Sequence, residues 1–239
     1  VALASAMSTA SIPAISSAWA LKDRKNTIKH IKSGINITML VLIPASVGMS
    51  VLAYPIMGLL FPQKETIAIA TALLTFGTPA IVFYGLSTIS NGILQAIGEV
   101  QIPLKNSAIA LVCHIILVAF LLFVTPLGLY SLIIGNCTYA LQVSIMNQKA
   151  LKRKLHYKQE IKRTYILPLL AAIIMGAVVY GIYELFFIFT RSVFIPLIIA
   201  IVVGIIVYFV IIFFMYSDHP DLLNDIPYAN RIIAKIKRK

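Results

Sequence analysis

Residues 193–216, VFIPLIIAIVVGIIVYFVIIFFMY, run for 24 positions without a charged or an amide side chain. At about 1.5 Å of rise per residue, a helix of that length covers a hydrocarbon core about 30 Å thick. The rest of the chain has the same character. Mean hydropathy is +0.94, and 60% of residues are hydrophobic. Only 12% are charged, where soluble domains carry about 25%. The composition therefore predicts an all-α, polytopic transmembrane helix bundle.

Working back from 193, six further apolar runs are long enough to span, roughly 1–20, 35–61, 67–97, 105–124, 128–148 and 165–189. This makes about seven spans. Between them lie turn and charge signals such as LKDRKNTIKHIKS, PQKE, GEVQIP, TPLG, NQKALKRKLHYKQEIKRT and FTRS. Pro44, Pro55, Pro79 and Pro168 mark the expected kinks. The opening stretch, VALASAMSTASIPAISSAWA, repeats alanine at 2, 6, 10, 14 and 18. That repeat predicts a small-residue stripe along which another backbone comes close. Lacking an initial methionine and the basic start of a signal peptide, the stretch reads as the interior of a longer chain.

When alternate loops are placed on opposite sides, eighteen of the twenty lysines and arginines share one side, and only Lys64 and Arg191 fall on the other. The excess predicts a cytoplasmic face and a cytoplasmic C-terminus. The net charge of +12 thus reports topology. No nucleic-acid partner is expected, since a binder would gather basic and aromatic residues on a soluble face. There is no Walker loop, His-Glu-x-x-His helix or nucleophile elbow in the sequence. No enzyme activity, metal or cofactor is therefore expected. Cys113 and Cys137 fall inside apolar runs without metal-ligand spacing and read as reduced packing residues. Of eight acidic residues only Glu184 lies within a span, near its outer end. An ion-coupled transporter usually keeps a carboxylate near the bilayer centre.

Polar residues inside the spans carry the functional signal. Tyr84, Ser87, Thr88, Asn91 and Gln95 share one helical face of the third span. Ser131, Gly135, Thr138 and Gln142 repeat the pattern in the fifth, and Ser107, Ala110 and His114 make a weaker version in the fourth, with Lys105 and Asn106 at its mouth. Both readings of such stripes stay open: a dry polar seam tying helices together, or a hydrated passage. His114 likewise reads either as a packing residue or as a proton carrier.

Three stretches, SAMSTASIPAISSAWALKD (5–23), NGILQAIGEVQIPLKNSAIALV (91–112) and DLLNDIPYANRIIAKIKRK (221–239), together with the long proline-bearing second span, resemble a known family. They are similar to the lipid II and polysaccharide flippases of the stage V sporulation protein B-like group, in the multidrug/oligosaccharidyl-lipid/polysaccharide exporter superfamily. Gly92, Ile93, Leu94 and Gln95, followed by Gly98, Pro103 and Lys105, are the most specific part. The resemblance implies a fourteen-helix protein of two six-helix lobes and a terminal pair. The seven spans would be its eighth to fourteenth helices, and the N-terminal lobe would be a missing partner.

The implied organisation is C-terminal-lobe helices over 1–148, a basic cytoplasmic loop over 149–163, a terminal helix pair over 164–216 and a basic amphipathic tail over 217–239. In that pair, Ala172 to Gly176 and Ala200 to Gly204 suit close packing. The implied function is to flip an undecaprenyl-pyrophosphate-linked saccharide, lipid II or a polysaccharide precursor, across the bacterial plasma membrane by alternating access. This would serve cell-wall or polysaccharide biosynthesis, with no bond made or broken. Asn91, Gln95, Lys105, Asn106, Thr138 and Gln142 are the residues expected along the headgroup route. The basic segment from Lys149 to Arg163 has two readings: contact with membrane lipids, or recruitment of the precursor. A multidrug cation antiporter of the same superfamily and a non-transporting membrane scaffold are the alternatives.

Overall fold

The computed structural model describes residues 2–61, 64–157 and 159–216. Within them all regular structure is helical: α1 (Ala2–Ala20), α2 (Arg24–Val51), α3 (Ala53–Leu60), α4 (Lys64–Gly77), α5 (Pro79–Ala96), α6 (Gln101–Val124), α7 (Tyr130–Leu155), a π-helical turn at Lys162–Ile166, α8 (Leu167–Thr190) and α9 (Phe194–Tyr216). The seven expected spans are each helical, with α2 continuing into α3 and α4 into α5, but α2 starts at Arg24, inside the basic stretch LKDRKNTIKHIKS expected as a loop, because Asp23 caps it there. By length and composition, five passes qualify as membrane-crossing: α2, Thr66–Ala96, α6, Lys162–Thr190 and α9. The serines and threonines of α1, and the amides and lysines of α7, leave those two less apolar. The expected amphipathic segment 217–239 lies outside the described residues.

Two of the four expected proline sites coincide with helix breaks. Pro55 sits in the first turn of α3, just after Leu52 leaves helical geometry at φ −92° and ψ 16°. Pro79 opens α5, where its missing N–H leaves the Thr75 carbonyl without its helical donor. The Thr78 hydroxyl fills that role at 2.9 Å, and Ser46 Oγ of α2 donates to the Thr78 carbonyl at 2.8 Å. Pro168 stands at the start of α8 behind the π turn, whereas Pro44 lies inside an unbroken α2.

The helices form a row. α6 packs on α7, α7 on α5, α5 on α1 and α2, α2 on α8, and α8 on α9. Ile15, Ile31, Ile35, Met39, Ile89 and Ile93 are fully buried where α1, α2 and α5 meet. Close approach there depends on small residues, but not on the alanine stripe expected for α1. Ala2, Ala6 and Ala10 are exposed, and the packed face is Ala4, Ser8, Ser11, Ile15 and Ala18. A four-residue repeat drifts about 40° per step on a helix of 3.6 residues per turn, so the five alanines rotate off any single face. Gly92 of α5 faces Ser8 and Ile12, and Gly34 of α2 faces Ser11. The terminal pair meets expectation. Ala172, Gly176, Ala200 and Gly204 are all buried, and a Cβ on Gly204 would lie 2.6 Å from Val179 Cγ2.

One end of the row is basic and tied together. Asp23 caps α2 by accepting from the Asn26 backbone N–H at 3.0 Å, and that bond holds its carboxyl below the usual range. Arg24 Nη2 donates to the Leu155 carbonyl at 2.9 Å, Lys32 pairs with Glu160 at 3.3 Å, and Lys154 with Glu99 at 2.5 Å. The α7–α8 connection is pinned to α2 through Asn36, which accepts from Gln159 Nε2 at 2.9 Å and from Thr164 Oγ1 at 2.5 Å. Tyr157 donates to Gln159, and burial pushes the tyrosine's pKa up. Helix α7 runs to Leu155, seven residues beyond the expected end of its span. Lys152, Arg153 and Lys154 occupy its last turn, where the helix dipole favours cations, and His156 closes it at φ 48°.

Candidate functional site

The polar side chains inside the spans converge on a seam between α5, α6 and α7. At its centre is Asn147, which is fully buried. Asn147 Nδ2 donates to Asn91 Oδ1 at 2.6 Å, and its Oδ1 accepts from Asn106 Nδ2 at 2.8 Å. One amide thus links three helices. Beside it, Gln148 Nε2 donates to Ser90 Oγ at 2.9 Å, and Ser144 Oγ donates to the Phe83 carbonyl at 2.8 Å. Toward the other end of the seam, Tyr84 donates to Asn136 Oδ1 at 3.4 Å.

Of the six residues expected along the headgroup route, the structure joins only Asn91 and Asn106, through Asn147. Thr138 spends its hydroxyl on its own helix, at the Ile134 and Gly135 carbonyls, 2.8 and 2.9 Å away. Gln142 is half-buried. Gln95 and Lys105 are exposed at the basic end and have no hydrogen-bond partner among the described residues. Ser87 and Thr88 both donate to the Tyr84 carbonyl at 2.8 Å. Across the seam the three asparagines hold one another, and its exposed edge carries an amide and a cation.

The stripe read on α7 was not the one that meets α5. Ser131, Gly135, Thr138 and Gln142 lie on one side of the helix, while Asn136, Ala140, Ser144 and Asn147 lie on another, at spacings of four, four and three. That second periodicity is present in the sequence and would have pointed to Asn147. Gly135 packs against α6, where a Cβ would come 2.9 Å from His114 Cε1. The His114 ring meets Tyr139 edge-on with centroids 5.8 Å apart, and its Nδ1 is buried without a partner among the described residues. Cys137 is half-buried, but Cys113 faces outward on α6 rather than packing.

A bundle of long apolar helices, closely packed through glycine, alanine and serine and tied by buried amides, defines a multi-pass membrane protein. Comparison with known proteins makes this particular. The family described as lipid II flippase MurJ matches residues 3–201. The chain belongs to that family, which is one of transporters rather than enzymes. A solved structure titled lipid II flippase MurJ, inward closed conformation, is similar with a TM-score of 0.65 and 25% sequence identity, over 89% of this chain. The chain spans 43% of the length of that flippase. No curated protein matches the chain.

Proposed function

We propose that this chain forms the C-terminal part of a flippase that carries an undecaprenyl-pyrophosphate-linked saccharide, lipid II or a related polysaccharide precursor, from the inner to the outer leaflet of the bacterial plasma membrane. The family match over residues 3–201 is the observation that carries this reading. In physical terms, a diphosphate in hydrocarbon costs many kcal/mol without polar partners. A flippase therefore gives the headgroup a wet path and leaves the tail in lipid. Alternating access would come from rocking of this lobe against an N-terminal lobe.

In this reading the basic end, the side to which the alternation of spans assigns eighteen of the twenty lysines and arginines, faces the cytoplasm. Residues 1–148 supply lobe helices, 149–163 the basic connection, 164–216 the terminal pair and 217–239 an amphipathic tail. Gln95 and Lys105, exposed at that end, make first contact with the headgroup as an amide donor and a cation. Asn91, Asn106, Thr138 and Gln142 line the route behind them. An apolar cavity of about 420 Å³ between α2, α8 and α9, lined by Pro44, Met175, Gly204 and Phe209 among others, offers room for hydrocarbon.

In the complete flippase, Gln95→Ala with Lys105→Ala is expected to slow precursor flipping in vesicles about tenfold, as removing a charge-assisted contact does, with abundance unchanged. Full activity would remove both residues from the route. Thiol labelling of Lys154→Cys in intact cells checks the orientation: protection from an impermeant reagent is expected, and ready labelling would reverse it.

A further inference from the structure

We propose that the cavity between α5, α7 and the α7–α8 connection is a binding site for the head of an anionic phospholipid of the adjacent leaflet, separate from the flipped precursor. The cavity holds about 440 Å³. Its polar lining is mostly spoken for. Ser144 donates to the Phe83 carbonyl, Gln148 to Ser90, Tyr157 to Gln159, and Gln159 to both Asn36 and Thr164. Those bonds hold the wall in place, so little ordering is needed when a ligand enters.

What is left at the mouth is positive. Lys149 and Lys152 both line the cavity and are exposed. Among the described residues the ion pairs join Lys32 and Arg163 to Glu160 and Lys154 to Glu99, and neither cavity lysine takes part. Tyr165, in the π-helical turn, lines the same cavity and has no hydrogen-bond partner among the described residues. Two exposed ammonium groups beside one opening suit a phosphodiester.

The same face of α7 specifies an amphiphile rather than a free anion. Leu141, Ile145, Gln148, Lys149 and Lys152 share that face. Its apolar members are partly exposed and lie deeper along the helix than the lysines. From Leu141 to Lys152 is eleven residues, about 16 Å along the axis, which is the reach of an acyl chain from its phosphate into the bilayer. Phe83 of α5 and Ile161 of the connection complete the apolar walls. Basic pockets between helices at a membrane surface are the places where anionic headgroups bind, at about fivefold in affinity per lysine.

The test uses the complete flippase in detergent, with retained lipid counted by native mass spectrometry after adding phosphatidylglycerol or phosphatidylcholine. Wild type is expected to retain phosphatidylglycerol in preference. Lys149→Gln with Lys152→Gln should weaken that retention roughly 25-fold, and Lys149→Arg with Lys152→Arg should preserve it. Ile145→Trp, which keeps both charges and fills the acyl path, should also weaken it. Arg153→Gln with Lys162→Gln, basic residues of the same region that do not line the cavity, should leave it unchanged. Equal loss in that control pair, or unchanged retention in the Lys149/Lys152 glutamine pair, overturns the site. Loss of undecaprenyl pyrophosphate binding with phosphatidylglycerol untouched would likewise overturn it and give the cavity to the precursor. Flipping in vesicles is measured separately, so failure of the lipid site leaves the transport reading standing.

Discussion

Gly92→Leu is expected to destabilise the bundle by about 3 kcal/mol, the upper end of what overpacking costs. A Cβ at Gly92 runs into Ser8 Oγ and would stand 3.2 Å from Ile12 Cδ1, so a leucine cannot be housed without parting α1 from α5. Leucine is the better helix former by about 0.8 kcal/mol, and that gain is too small to compensate. The effect should appear as a lower unfolding midpoint of the complete protein in detergent, with α1 becoming accessible to protease. Gly92→Ala is a sharper probe because only the Ser8 hydroxyl stands in its way at close range. It should cost about 1 kcal/mol alone and recover in a Ser8→Gly background. A Gly92→Leu protein as stable as wild type would mean that α1 does not sit where the structure puts it.

Asn147→Leu is expected to cost about 2 to 3 kcal/mol. Interhelical hydrogen bonds in membranes average about 0.6 kcal/mol, so losing two would account for little more than 1 kcal/mol. The larger figure comes from what is left behind. Asn91 Oδ1 and Asn106 Nδ2 lose their partner inside a packed seam, and each orphaned polar group costs about 1 kcal/mol or more. It follows that Asn147→Leu, Asn91→Leu and Asn106→Leu together should be more stable than Asn147→Leu alone, because no amide is then stranded. The triple variant also separates two roles. Normal flipping by a stable triple variant would make Asn91 and Asn106 purely structural; a stable variant that does not flip would put them on the headgroup route. Both quantities come from one preparation, by thermal unfolding and by vesicle assay.

Much of this protein was legible because a bilayer imposes few solutions. Apolar runs long enough to cross hydrocarbon must be helices, so the positions of α6, α8 and α9 followed from length and hydropathy, whereas α2 began eleven residues ahead of its expected span, inside the basic stretch read as a loop. Pro55 and Pro79 marked real breaks, since proline removes a backbone donor wherever it falls. The exposed pair Gln95 and Lys105 stood out as polar residues in an apolar context. Three features were not legible in this way. The first three alanines of the α1 repeat turned away from its neighbours while Ser8 and Ser11 made the contact. Helix α7 presented Asn147, rather than Thr138 or Gln142, to the seam. The basic stretch after residue 148 was still helix as far as Leu155, and it formed one wall of a cavity. By itself, the sequence determined that the chain is a stack of membrane helices with one basic end, because hydropathy and charge act on each segment independently of the others. Only the tertiary structure decided which face of each helix is buried and which cations go unpaired. Those outcomes depend on the rotation of one helix against the next, and a polar residue on either of two faces reads the same until a neighbour has chosen one of them.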